Sequence, residues 1–250
     1  MKFRNWFRIR TGMIFIPVFL FHALYAQVGA GDAMDRLYAR AVKETCKPEV
    51  KAIYTHLTRI DTSNKELIYK TIKGEEYILV LAWKQNVSFY KNDSVTGFFN
   101  TGNFPVWVTA APDLKRRMKT LHATDADNRL RQLLGLPPHA RYSYFVEFWV
   151  RPADLFRPCP DKEINDAWCE LCFPPKTDSV HINWINGNRI SRYYNCKEED
   201  NYPWTQLGYT YDWSPDNKTH VGLSEFVIYP GRSIVVNKIY STREYLGNSL

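Results

Sequence analysis

Apolar residues recur at helical spacing early in the chain. Met34, Leu37, Ala41 and Val42 share a face after Asp32, a good N-cap, and Pro48 breaks the run. Val50, Ile53, Tyr54 and Leu57 then mark a second helical stretch, so residues 32–60 are expected to be helical. From Glu66 the pattern changes. Residues 67–72 and 77–83 flank Gly74-Glu-Glu and predict a hairpin, and 105–110 predicts another strand. Pro112 opens a short helix, and Thr124 with Asp127 predicts a capping box for the next, which carries Leu130, Leu133 and Leu134. Gly135 and Pro137-Pro138 close it.

From about 140 onward the pattern is mostly β. Residues 142–150 (YSYFVEFWV) are aromatic or β-branched almost throughout. Residues 180–185 and 189–194 flank Asn186-Gly187, a strong hairpin signal because both turn residues tolerate positive φ. Segments 204–213, 219–229 and 234–240 complete the strands. The expected class is α+β: N-terminal helices, then a largely antiparallel sheet. Character shifts near 65 and 138, but neither position has linker composition, so residues 27–250 read as one domain.

Composition adds a compartment. The 250 residues are 45% hydrophobic and 15% aromatic, enough for a core. Lys2, Arg4, Arg8 and Arg10 precede an apolar run at 13–26, and small residues offer cleavage after Ala26 or after Ala30. This is the layout of a secretory signal peptide, which predicts a secreted or periplasmic protein. The run is shorter than the roughly 20 residues a span needs, so no stable membrane span is expected after cleavage. Removing those four cations takes the net charge from +7 to about +3, which argues against nucleic acid as a partner.

Export makes disulfides the default fate of the cysteines. Cys159, Cys169, Cys172 and Cys196 cluster, so at least one bridge is expected among them, with Cys46 the odd one out. A four-thiolate zinc site would need two close pairs, and C-x9-C-x2-C-x23-C has one; no metal site is expected. Lys115, Arg116, Arg117 and Lys119 fit a solvated helix face better than a phosphate site. His181, on an expected strand, lies opposite Val180 and Ile182, where an imidazole could titrate near neutral pH.

Glu225 is the strongest chemical candidate. Alternation along 219–229 puts Val221, Leu223, Glu225, Val227 and Tyr229 on one face, and both faces are largely apolar. A carboxylate there needs a partner, such as Arg151, Arg189 or Arg192, or a purpose.

Two local resemblances carry specific chemistry. Glu225-Phe-Val-Ile-Tyr-Pro-Gly231 followed by Ile234-Val-Val resembles the last motif of ADP-ribosyltransferase-like enzymes. That resemblance implies NAD as cofactor and Glu225 as catalytic glutamate. It also implies Arg151 or His181 as the first-strand residue, and Tyr209 or Tyr211 as the middle one. Trp168-Cys-Glu-Leu-Cys172 is similar to the redox motif of thioredoxin-like proteins, which implies thiol oxidoreductase chemistry at Cys169 and Cys172.

Two segments, 151–160 and 202–213, are rich in Pro and Arg or in aromatics, the composition of ligand walls and interfaces. The leading reading is therefore an exported, disulfide-containing protein that binds a small-molecule ligand or a protein partner through its aromatic second half. The two enzyme readings stand as alternatives, and a cofactor, NAD, enters only with the first of them.

Overall fold

A computed structural model describes residues 19–247 except 122, 196, 198 and 199, with side chains from residue 31. The basic region, the start of the apolar run and Cys196 lie outside the described residues.

Helices come first and strands later, and the class is α+β. Helix α1 (Phe19–Thr45) runs through both candidate cleavage positions and ends before Pro48. Its face of Met34, Leu37, Tyr38, Ala41 and Val42 packs on Tyr211 and Trp213. The second helix expected at 50–57 is a single 3-10 turn, Val50–Ala52. Ile53, Tyr54 and Leu57 instead contact Leu207, Tyr209 and the Cys159–Cys169 pair. Leu57 N–H donates to Ala167 O at 2.9 Å and Ile60 N–H to Ile164 O at 2.7 Å, so long-range bonds replace helical ones.

Strands β1 (Tyr69–Ile72) and β2 (Glu75–Lys84) form the expected hairpin. Lys73 and Gly74 take φ of 51° and 85°, the positive values that a two-residue hairpin turn needs. After β3 (Phe99–Asn100) and β4 (Val106–Ala110) come helices α2 (Ala111–Leu121) and α3 (Ala126–Leu133). The α3 cap is Asp125, one residue beyond the expected Thr124; its side chain accepts from Asn128 N–H at 2.9 Å. Strands β5 (Tyr144–Val150) and β6 (Leu155–Phe156) follow.

Residues 179–193 depart most from expectation. They form one helix, α4 (Ser179–Tyr193), not a hairpin about Asn186-Gly187. Asp178 caps it by accepting from His181 N–H at 2.8 Å. His181 and Ile185, four apart, are buried, while Asn186 and Gly187 face solvent. Helical burial and a good cap outweigh the local turn preference of Asn-Gly.

Strands β7 (Tyr209–Tyr211) and β8 (Val221–Ser224) pair as a separate ribbon. Strand β9 (Phe226–Ile228) pairs with β4 and β6, and β10 (Ser233–Ser241) runs into α5 (Thr242–Leu246). The main sheet runs β3-β10-β5-β2-β4-β9-β6, with β1 added on β2, and its pairings are antiparallel.

Alternation along β2 feeds two cores. Ile78, Val80 and Ala82 join Val146, Phe148, Phe226 and Ile228 on one face. Tyr77, Leu79, Leu81 and Trp83 join Leu114, Leu130 and Leu133 of α2 and α3 on the other. A strand buried on both sides explains the near-continuous apolar run of its sequence. No helix among the described residues is long and apolar enough to cross a membrane.

Candidate functional site

The stretch expected as one strand at 219–229 is broken at Glu225. Strand β8 pairs with β7 up to Ser224, and β9 pairs with β4 from Phe226. Flanking groups hold the break. Thr109 hydroxyl donates to Ser224 O at 2.8 Å, Thr58 N–H to Ser224 Oγ at 2.7 Å, and Glu225 N–H to Gly208 O at 2.9 Å. Gly208 sits at φ 75°, and a Cβ there would lie 2.6 Å from Arg157 Cδ and 2.7 Å from Cys169 Sγ. Only glycine fits where that carbonyl must meet Glu225.

Register then sets the company of the carboxyl. Trp107 opposes Val227 and Val108 opposes Phe226, so alternation puts Glu225, Val227, Trp107 and Thr109 on one face. Phe226 and Ile228 turn the other way, into the core.

That face opens on a cavity of about 270 Å³. Its walls include Trp83, Trp107, Tyr142, Tyr202, Trp204 and Tyr211, with Lys84, Arg192 and Glu225 as the charged-type side chains. Trp107 and Trp204 meet edge to face at 6.0 Å, and Trp83 lies 5.3 Å from Tyr142.

Glu225 is half-buried as a residue, yet its Oε2 is sealed from solvent and has no hydrogen-bond partner. Burial pushes the carboxyl up to about 8, against the opposing pull of the Arg192 guanidinium. Arg192 does not form an ion pair with it; its guanidinium stacks on Trp107 at 5.3 Å and on Tyr202 at 4.9 Å. Burial lowers the Lys84 ammonium.

The other expected site residues divide. Tyr211 shares the cavity with Glu225; its hydroxyl donates to the Glu44 carboxylate of α1, and burial raises its phenol. Tyr209 points elsewhere, donating to Ala52 O at 2.8 Å. Arg151 also lies away from the cavity. Its Nε donates to Asp154 at 2.7 Å and its Nη1 to Glu75 at 3.1 Å, and these bonds raise its guanidinium pKa. His181 stands on α4, not on a strand, with Nε2 2.8 Å from Cys159 O; burial lowers its pKa. Arg189 is spent on Gln206 Oε1 at 2.6 Å.

A Cys159–Cys169 disulfide is present, while Cys172 is exposed and free and Cys46 is free and half-buried. With Cys169 buried and bonded to Cys159, the Cys169–Cys172 pair is not a dithiol couple, and the thioredoxin-like expectation fails on geometry. Among the described residues no group of three or more His, Cys, Asp or Glu could hold a metal.

Lys84, Trp83, Trp107 and Tyr142 were not expected at the site. They come from strands or loops distant in sequence and belong to no motif; Tyr202 and Trp204 lie in the aromatic segment that composition had marked. Fold and cavity together define an α+β protein with an aromatic cavity built around a buried glutamate. Comparison of the chain with protein-family models, curated proteins and solved structures finds no match.

Proposed function

We propose that the protein binds a small ring-bearing organic molecule in this cavity, with Glu225 as a polar contact on its wall. The observation that carries the reading is the Glu225 carboxyl, whose Oε2 is sealed and lacks a partner in a residue that lines the cavity. An unsatisfied buried carboxyl costs free energy, and perturbed groups of this kind concentrate at functional sites. Indole and phenol walls supply large flat contact areas for a ring. A volume near 270 Å³ is just below the roughly 300–1,000 Å³ of drug-sized ligand sites, which suits one or two rings.

A panel of one- and two-ring compounds, followed by tryptophan fluorescence and thermal shift, tests this. Saturable binding lost in Trp107→Ala supports the reading. Binding unaffected by Trp107→Ala, or none across the panel, overturns it.

A second reading is favoured by Glu225 and Tyr211 sharing one cavity, as the ADP-ribosyltransferase resemblance asks. Arg151 and His181 stand outside the cavity, so the basic role in an NAD-using enzyme would fall to Arg192. Release of nicotinamide from NAD by the wild type, lost in Glu225→Gln, supports this enzyme; no release from the wild type removes it.

We further propose export. The disulfide supports it, since such bonds persist in oxidising compartments. The α1 residues Met34, Leu37, Tyr38, Ala41 and Val42, which pack on Tyr211 and Trp213, lie beyond both cleavage positions, so cleavage would leave these contacts intact. Mass spectrometry of the expressed protein should find a chain starting at Gln27 or Gly31; a chain retaining residues 1–26 contradicts it.

A further inference from the structure

We propose that the cavity's ligand is a small aromatic carboxylate, its ring on the tryptophans and its anionic end held by Lys84 and Arg192. This rests on the binding reading above and names the ligand class.

The charged-type groups on the cavity wall come from three places. Lys84 ends β2, Arg192 lies in the last turn of α4, and Glu225 sits at the β8–β9 break. Tyr142, Tyr202 and Tyr211 are the other titratable groups on the wall, and Tyr193 of α4 also interacts with Glu225. Among the described residues, no carboxylate pairs with Lys84 or Arg192. Lys84 is held in a desolvated place that depresses its ammonium, as expected of a cation lacking an anion. Glu225 does not supply that anion, because burial keeps it largely protonated at neutral pH. Among the described residues, Arg192 is thus left without an anion of its own in the cavity.

The geometry of Arg192 fits a carboxylate. Its guanidinium lies over the rings of Trp107 and Tyr202, which sets the charge beside the aromatic walls that would hold the ligand's ring. A guanidinium edge matches a carboxylate in a two-pronged, charge-assisted contact. A protonated Glu225 sets no second negative charge beside the anion. A cationic ligand would have to ionise Glu225 while sitting beside two cations, and a neutral one would leave both without a counter-charge.

Benzoate, benzamide and benzylamine share a ring and differ in charge, and calorimetric titration of the full chain with each tests the inference. Benzoate is expected to bind about tenfold or more tighter than either analogue, the effect of one charge-assisted contact. Arg192→Met should bring benzoate down to the affinity that benzamide has for the same variant; Arg192→Lys, which keeps the charge but not the fork, should retain part of the advantage. Benzoate binding should weaken as pH rises through about 8, where Glu225 ionises and repels it, and binding by Glu225→Gln should weaken less over the same range, since only loss of the Lys84 charge remains. Benzylamine or benzamide binding as tightly as benzoate overturns the anion inference and leaves the binding reading standing. No binding of all three, together with silence across the wider ring panel, overturns both.

Discussion

Glu225 N–H donates to the carbonyl of Gly208 at 2.9 Å, and this bond fixes the point where one strand leaves its ribbon and the next joins the main sheet. The carboxyl is therefore set in the cavity wall by backbone geometry, not by a charged partner. Gly208 is irreplaceable for two reasons at once: a φ of 75° and the closeness of Arg157 and Cys169. Gly208→Ala should destabilise the fold by about 1–3 kcal/mol from overpacking alone, with strain at positive φ adding to it. Urea denaturation measures the loss. An unchanged midpoint would contradict the tight approach.

Gly187 tests the helix against the hairpin. It lies inside α4, facing solvent, with nothing within 4 Å of an added Cβ. Gly187→Ala should stabilise the protein by about 0.5–1 kcal/mol, since alanine orders into a helix at less entropic cost. In a hairpin turn needing positive φ the same change would destabilise, so the sign of the shift in denaturation midpoint decides.

The cysteines should separate by reactivity. Exposed Cys172 should react with iodoacetamide in the folded, unreduced protein, while Cys159 and Cys169 stay unlabelled until reduced. Breaking the Cys159–Cys169 bridge, whose ends are 10 residues apart in sequence, should cost about 2–4 kcal/mol. Peptide mapping and denaturation with and without reductant read both effects.

Glu225 makes stability depend on pH in a particular direction. Its folded pKa of about 8 lies above its ordinary 4.5, so between these values the folded state holds a proton that the unfolded state has lost. Stability from this group is fully present below about 4.5 and is lost as pH rises towards 8. The melting temperature of the wild type should fall across that window relative to Glu225→Gln, which carries no ionisable group there. Parallel curves for the two proteins would contradict the burial of the carboxyl.

The helical face of Met34 to Val42 and the 69–84 hairpin were readable because spacing and turn chemistry agree with the tertiary structure at both places. Residues 179–193 were not, because Asn186-Gly187 is a two-residue signal, whereas the helix is set by Asp178 and by burial of His181 and Ile185. The apolar pattern around Glu225 singles out a carboxylate in need of a partner or a purpose, and the structure sets Glu225 and Tyr211 on the wall of one cavity. The break in the strand stayed hidden, since alternation continues across it and only the change of pairing partners reveals it. Lys84, Trp107 and Arg192 reach the cavity from a strand end, a second strand and a helix, and such a meeting is a property of sheet order that no local pattern records.

The most direct measurement is the titration of the Glu225 side chain itself, followed by the carboxyl carbon shift in protein labelled at glutamate and assigned by comparison with Glu225→Gln. A midpoint near 8 is expected for the ligand-free protein, the mark of a carboxyl buried on the cavity wall without a partner. A midpoint at or below the ordinary 4.5 would mean a solvated or ion-paired glutamate and would contradict the account of this site.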